Sequence, residues 1–400
     1  MHIKKPSSLL TAALFSTALA SATFSTARAQ SVTIYDLESL TGPAQGVGVP
    51  QANAMKLAAD QINAKGGIKV GNQSYKIDLV VEDDRSAPTA GVTAVQKMLS
   101  SGKPVFMVGS LSSAVTGAYA PIVKTRADVI SIVVGAALEG ITDNQSIWRP
   151  RITLSQYTTG TLDYLKKQAM SSKKIALMTD NKHAGFVQQT GALKDGLKSI
   201  GFEVVGEEEW SFGATQFGPQ VSAVMRAKPD LLHIRGYGSD VARSIRQARE
   251  GGYTGPILAV SGMTEKDVTD AQATASMNGV SEVFAPQVTD LVLGKRNDAQ
   301  AKSFEDAYQK QFGQPSGTTS LSAFGGMYIL AQAISKAGTV TDIGAIRKAL
   351  DGLKVADVPE LIEPIKPADG GAIFKDHQAN FVLVVRRWQG DKFMPAGFVD

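Results

Sequence analysis

The 400-residue sequence contains no cysteine. Disulfides, zinc–thiolate sites, iron–sulfur clusters and a cysteine nucleophile are therefore excluded. Histidine is scarce: His2, His183, His233 and His377 stand far apart and none pairs at HxH or HxxxH spacing, so no metal is expected. The glycines supply no nucleotide fingerprint. Gly46-x-Gly48 followed by Gln51 lacks the third glycine of a dinucleotide loop, no Gly-x-x-x-x-Gly-Lys-Ser/Thr string occurs, and no cofactor is expected. Beyond the N-terminal segment, no apolar run approaches the ~20 residues of a membrane-spanning helix.

The N-terminal segment reads as an export signal. Lys4 and Lys5 make a positive start, Leu9 to Phe24 is apolar and small, and Ala27-Arg28-Ala29 gives the small-x-small pattern of a cleavage site after residue 29. The whole chain has 41 basic and 37 acidic residues. Without Lys4, Lys5 and Arg28 the balance is almost even, and no concentrated basic face remains for nucleic acid. The remaining length is enough for two domains, each with its own core.

What is present is an alternation of strand and helix signals. Tyr75, Ile77, Leu79 and Val81 alternate with polar residues, as on a strand. The runs 105–108, 129–134, 175–178 and 231–234 are short and apolar, as in parallel strands covered on both faces. Val49, Ala52, Met55, Ala59 and Ile62 recur at helical spacing before Gly66-Gly67, and Ala242, Ile245 and Ala248 do so before Gly251-Gly252. The series appears twice, around an irregular stretch at 147–158. The fold class is α/β, two doubly wound parallel-sheet lobes. Residues 298–353 read as helical and Phe381 to Val385 as a strand. Glu207-Glu208-Glu209 suits a solvated edge, Asp83-Asp84 a polar loop ahead of Pro88, and Trp148, Trp210 and Trp388 packing positions.

Several strings in register resemble the leucine/isoleucine/valine-binding protein family. They are Leu40-Thr41-Gly42-Pro43, Asp60-Gln61-Ile62-Asn63-Ala64-Lys65-Gly66-Gly67-Ile68, Glu82-Asp83-Asp84, Val108-Gly109-Ser110-Leu111-Ser112-Ser113, Val134-Gly135-Ala136, Trp148-Arg149, Ile245-Arg246-Gln247-Ala248-Arg249, and Gly371-Ala372-Ile373-Phe374 with Gln378. The resemblance spans nearly the whole chain after the leader. It implies a type I periplasmic binding fold with a three-strand hinge, lobe 1 at 30–150 with 285–358 and lobe 2 at 151–284 with 359–400. It also implies a monomer in the periplasm that captures a small solute between the lobes and delivers it to the permease subunits of an ABC importer. A sensory module for a membrane receptor would use the same fold, whereas nothing supplies the nucleophile–base or metal constellation of an enzyme.

Ligand residues are expected in loops at the carboxyl ends of the strands, where open α/β sheets form their crevice. Ser112 and Ser113 follow an apolar strand and open a helical stretch, a hydroxyl-plus-N–H cradle for a carboxylate; Ser113 falls at the family's carboxylate-binding serine. Gly135, Ala136 and Ala137 occupy the next strand end, with Ala137 where the family carries a threonine. Ser261 stands where the family has the acid that pairs with the ligand ammonium. Family aromatics fall at Val47 and near Ala184. Arg235 and Tyr237, at the end of the run 231–234, suit a carboxylate grip, with pairing of Arg235 to Asp240 as the alternative. Arg151 and Tyr157 are further candidates beside the first crossing, and Arg149 is assigned to the hinge.

These departures favour a small organic carboxylate, aromatic or aliphatic, over a branched-chain or other neutral amino acid, because a buried ammonium without a charged partner is costly. If the leader is cut as read, intact-mass measurement on the exported protein should find Gln30 as the first residue. A mass that includes residues 1–29 would refute the cleavage.

Overall fold

A computed structural model describes residues 1–3, 30–168, 170 and 173–399, so residues 4–29 of the leader, with the expected cleavage pattern, lie outside the described residues. The first sheet contains β1 (Gln30–Glu38), β2 (Ile68–Val70), β3 (Gln73–Asp83), β4 (Val105–Gly109), β5 (Val129–Val133) and β6 (Ile147–Trp148), in the order β2-β3-β1-β4-β5-β6. All neighbours run parallel except β2, which turns back on β3. Successive side chains of a strand point to opposite faces. Val105 and Met107 thus join Val95, Met98, Val115 and Tyr119 of α2 (Pro88–Leu99) and α3 (Ser113–Val123) on one face. Phe106 and Val108 join Met55 of α1 (Gln45–Ala64) on the other. Both faces being covered explains why β4 and β5 are apolar and buried at nearly every position.

The second sheet repeats the plan. It contains β7 (Lys174–Asp180), β8 (Glu203–Trp210), β9 (Leu231–Arg235), β10 (Ile257–Val260) and β11 (Val280–Phe284), extended by two late antiparallel strands at Leu383–Gln389 and Lys392–Val399. Helices α4 (Leu154–Lys166) and α5 (Ala184–Ser199) cover one face; α6 (Gly218–Ala227) and α7 (Gly238–Glu250) cover the other. Glu207 and Glu209 are exposed on β8, the edge strand. A short helix α8 (Glu265–Asp270) follows β10, and α9 (Val288–Leu293) packs on the last strand.

The chain then returns to the first sheet. Helices α10 (Asp298–Phe312), α11 (Ser320–Ala337) and α12 (Ile343–Asp351) follow, with α11 laid along α1. Gly326 lets α11 also lie close on the first sheet, since a Cβ there would lie 2.3 Å from Val134 Cγ1 at the end of β5. A small sheet comes next, from β12 (Ile365–Lys366), β13 (Phe374–Lys375) and β14 (Gln378–Phe381); the two strands that finish the second sheet are β15 (Leu383–Gln389) and β16 (Lys392–Val399). The chain runs between the two layered units three times, between β6 and α4, between α9 and α10, and between β14 and β15.

Two of these crossings are hydrogen-bonded to each other. Arg149 N–H donates to His377 O at 2.8 Å and Ala379 N–H to Arg149 O at 3.1 Å. The Arg149 side chain, 1% exposed, donates through Nε to Gln378 Oε1 at 2.5 Å and reaches the Leu138 carbonyl, with Glu139 at 3.7 Å. Burial pulls its pKa down to about 10.

The second unit holds a buried ion network. Arg386 on β15 donates through Nε to Glu282 Oε2 on β11 at 2.8 Å, lies 3.5 Å from Asp290 on α9, and stacks over Phe393. Glu282 Oε1 in turn accepts the N–H groups of Ser261 and Gly262 at 2.9 and 2.6 Å. All three charged side chains are fully buried. Arg386→Ala should cost about 3–5 kcal/mol in urea unfolding, because two buried carboxylates lose their cation. Lys56→Ala, which removes only an exposed i,i+4 pair with Asp60, should change stability by less than about 0.5 kcal/mol. A comparably small loss at Arg386 would mean that water reaches the pair.

Candidate functional site

The two sheets meet at the carboxyl ends of their parallel strands. There the loops after β4, β5, β9 and β10 line a cleft that is partly open to solvent, ≈ 570 Å³ with that open space included. Strand order reverses direction about β1 in the first sheet and about β7 in the second, the positions at which an open α/β sheet leaves a crevice.

Val47, Gly135, Ala137, Arg151, Tyr157, Tyr237 and Ser261 line this cleft. Val47 sits in the first turn of α1. Gly135 has no space for a side chain, since a Cβ would lie 2.6 Å from Leu111 Cα. Arg151 and Tyr157 are held by the first crossing and by α4, which Thr153 starts with a capping box to Gln156. Tyr237 lies just ahead of α7, and its hydroxyl, held above its ordinary pKa by burial, interacts with Ser112 of the opposite unit.

Four expected ligand residues are not on the cleft wall. Ser113 is 2% exposed and its hydroxyl accepts the Ala137 N–H at 3.3 Å, so it braces the next loop. Ser112 is the N-cap of α3, accepting from Val115 N–H at 3.4 Å. Ala136 is fully buried, its N–H donated to Ser110 O at 3.0 Å. Arg235 points away from the cleft because it is the last residue of β9, and strand alternation turns it toward α5. Its Nη2 donates to Thr179 Oγ1 at 2.7 Å and Thr190 Oγ1 at 2.9 Å, and it lies over Phe186. The alternative pairing to Asp240 is not made either: Asp240 binds Arg243 at 2.8 Å.

Ser261 is on the wall, yet its hydroxyl is already used, donating to Glu282 Oε1 at 2.5 Å. Residues without an earlier assignment complete the site. Phe284 stacks on Tyr157 with centroids 4.8 Å apart, and Phe186 and His183 stand where an aromatic was missing at Ala184. These could have been found by applying to β7 and β11 the strand-end rule that picked out Tyr237. Asp267 also lines the cleft, its Oδ2 accepting from Thr264 N–H and hydroxyl at 2.8 and 2.7 Å. Burial raises the Asp267 pKa, while it pulls that of His183 down to about 4 and leaves the imidazole neutral at neutral pH.

The charge arrangement is asymmetric. Arg151 is 3% exposed; its Nη2 donates to Tyr157 Oη at 3.0 Å, Glu363 lies 3.8 Å from Nη1, and Phe284 lies below the guanidinium at 5.5 Å. Its Nε has no partner among the described residues. Burial raises the Glu363 pKa against the opposing pull of Arg151. A guanidinium over an aromatic floor has the chemistry to pair with a carboxylate. Among the described residues no His/Asp/Glu group could hold a metal.

Two α/β units hinged by three crossings, with a small-molecule cleft at the strand ends, define a two-lobed solute-binding protein. Comparison with known proteins agrees. The sequence profile of the periplasmic binding protein family matches residues 31–392. The Leu/Ile/Val-binding protein BraC3 of Rhizobium johnstonii is 25% identical over 387 residues, covering 96% of this chain and 98% of its own. The leucine binding protein LivK of Thermotoga maritima superposes with a TM-score of 0.77 at 20% identity, covering 92% and 99% of the two chains. A solute binding protein of an R. palustris ABC transporter, solved with benzoate, gives 0.75 at 19% identity over 92% and 96%. The chain belongs to the periplasmic binding protein family and has the type I fold of its structural neighbours.

The lobes touch at Gly262. Its carbonyl accepts from Thr318 Oγ1 at 2.6 Å, its φ is +68°, and a Cβ would lie 2.3 Å from Thr318 Cγ2 and 2.5 Å from Phe284 Cε1. Gly262→Ala should therefore cost about 1–3 kcal/mol in backbone strain and hold the lobes apart. Unfolding titrations and the radius of gyration from small-angle X-ray scattering test this. Unchanged values in both would show that the loop yields.

Proposed function

We propose that the protein is the solute-binding component of an ABC importer, exported to the periplasm as a monomer, that captures a small aromatic carboxylate and hands it to the permease. The observation that carries this reading is Arg151, a buried guanidinium whose Nε has no partner among the described residues, on a cleft wall that includes Tyr157, Phe284 and Phe186. The acid's carboxylate meets Arg151 and its ring lies among the three aromatic side chains. Ser261 offers no charge to an ammonium, its hydroxyl being committed to Glu282. The benzoate in the R. palustris relative supports the same chemistry. No step of catalysis is assigned; the protein binds, closes and releases.

The lobes are read as 30–150 with 298–381, and 151–294 with 383–399. The second and third crossings are drawn later than the sequence suggested because α9 packs on β16 and β13 packs on α12.

A second reading is kept by one observation. Asp267 lines the cleft and could pair with the ammonium of a neutral amino acid, the solute class in the name of the Rhizobium relative. A thermal-shift comparison separates the two. Benzoate at 100 times its dissociation constant should stabilise the protein by about 2.7 kcal/mol, and leucine should not. Arg151→Gln should weaken benzoate by about 2–5 kcal/mol. A shift with leucine and none with benzoate would reverse the assignment.

A further inference from the structure

Behind the aromatic wall of the cleft lies a second, much smaller chamber, with room for about one water-sized group. Leu154, Tyr157 and Phe186 border both spaces, and the far side of the chamber carries Arg235 and His233. Both residues are buried, at 3% and 0% exposure. Their polar atoms are not all used. Arg235 Nε has no partner, and neither has His233 Nε2, among the described residues.

The state of each atom follows from its surroundings. The Arg235 side chain donates to two neutral hydroxyls, Thr179 and Thr190. Glu207 and Glu209 act on it only through space, from β8 on the far side of β7. A buried cation held this way is poorly compensated, and its pKa is pulled down to about 10 by burial. His233 Nδ1 lies 2.9 Å from the Leu258 carbonyl. A carbonyl only accepts, so Nδ1 carries the proton and Nε2 presents a lone pair. Burial, reinforced by Arg235, lowers the imidazole pKa to about 3 and keeps it neutral.

The chamber therefore offers one unused donor and one unused acceptor. A hydroxyl satisfies both, its oxygen accepting from Arg235 Nε–H and its hydrogen going to His233 Nε2. A carboxylate would serve the arginine but set its lone pairs against the imidazole. An apolar substituent would leave both atoms unpaired. We propose that this chamber is a specificity subsite for a hydroxyl on the ring of the acid bound in the cleft, reached when the Phe186 side chain turns aside. The proposal rests on the aromatic-acid reading of the cleft and makes the preferred solute a hydroxylated aromatic acid.

Calorimetric titration of the full protein without its leader tests it, using benzoate, 4-hydroxybenzoate and 4-methylbenzoate. The methyl compound matches the hydroxyl in size and lacks its hydrogen bonds. The hydroxy acid should bind about tenfold or more tightly than the methyl acid. In Arg235→Gln and in His233→Leu, two independent ways of removing one partner, that ratio should fall to about one. Because the readout is a ratio within one protein, a general loss of stability does not imitate it. Equal affinities in the parent protein, or a ratio that survives both substitutions, would overturn the subsite and leave a water-filled chamber. Binding of leucine with no binding of any benzoate would instead overturn the reading of the cleft, and the subsite with it.

Discussion

A guanidinium taken out of water must find its compensation in the protein or in what the protein binds. Four arginines here form a graded series. Arg386 has two buried carboxylates and knits β11, β15, α9 and the loop after β10 into one piece. Arg149 has a distant glutamate, a glutamine and a carbonyl, and it joins two of the crossings. Arg151 has Glu363 at the margin of ion-pair distance and an unused Nε. Arg235 has two neutral hydroxyls, the face of Phe186 and only the distant Glu207 and Glu209. Compensation declines from the framework toward the cleft and the chamber behind it, and the ligand-facing roles are assigned where it is least complete.

The framework serves the site by fixing loops rather than by supplying contacts. Ser113 spends its hydroxyl on the Ala137 N–H, and Ser261 spends its own on Glu282. Both hold a strand-end turn in place, so the cleft wall is set by backbone that cannot drift. The aromatic side chains of the cleft wall, Tyr157, Phe284 and Phe186, come from three elements of the second unit, α4, β11 and α5, and are brought together by its packing.

The sheets were largely legible in the sequence. The runs at 105–108, 129–134, 175–178 and 231–234 became β4, β5, β7 and β9, because strands covered on both faces have no polar side to hide their signal. The helix from Val49 to Ile62 was seen for the complementary reason, an apolar stripe ending in Gly66-Gly67. Short elements were not: α9 is six residues long, so nothing periodic marked it. The direction of Arg235 was also hidden. Its position at a strand end was readable, but its face depends on which residue closes β9, and one residue's difference reverses it. Asp267 was missed because its capping box with Thr264 reads in sequence as helix chemistry only.

The three crossings also govern how the chain can assemble. The first sheet is complete in sequence by Trp148, but α11, which packs along α1, comes from 320–337. The second sheet lacks an edge until β15 and β16, the last described segment, are in place. Neither half can finish before nearly the whole polypeptide is available, so a stop between residues 284 and 383 leaves the second half with β11 unpaired on that side. For a chain that threads a membrane before it folds, this interleaving delays compaction of both halves until passage is almost over.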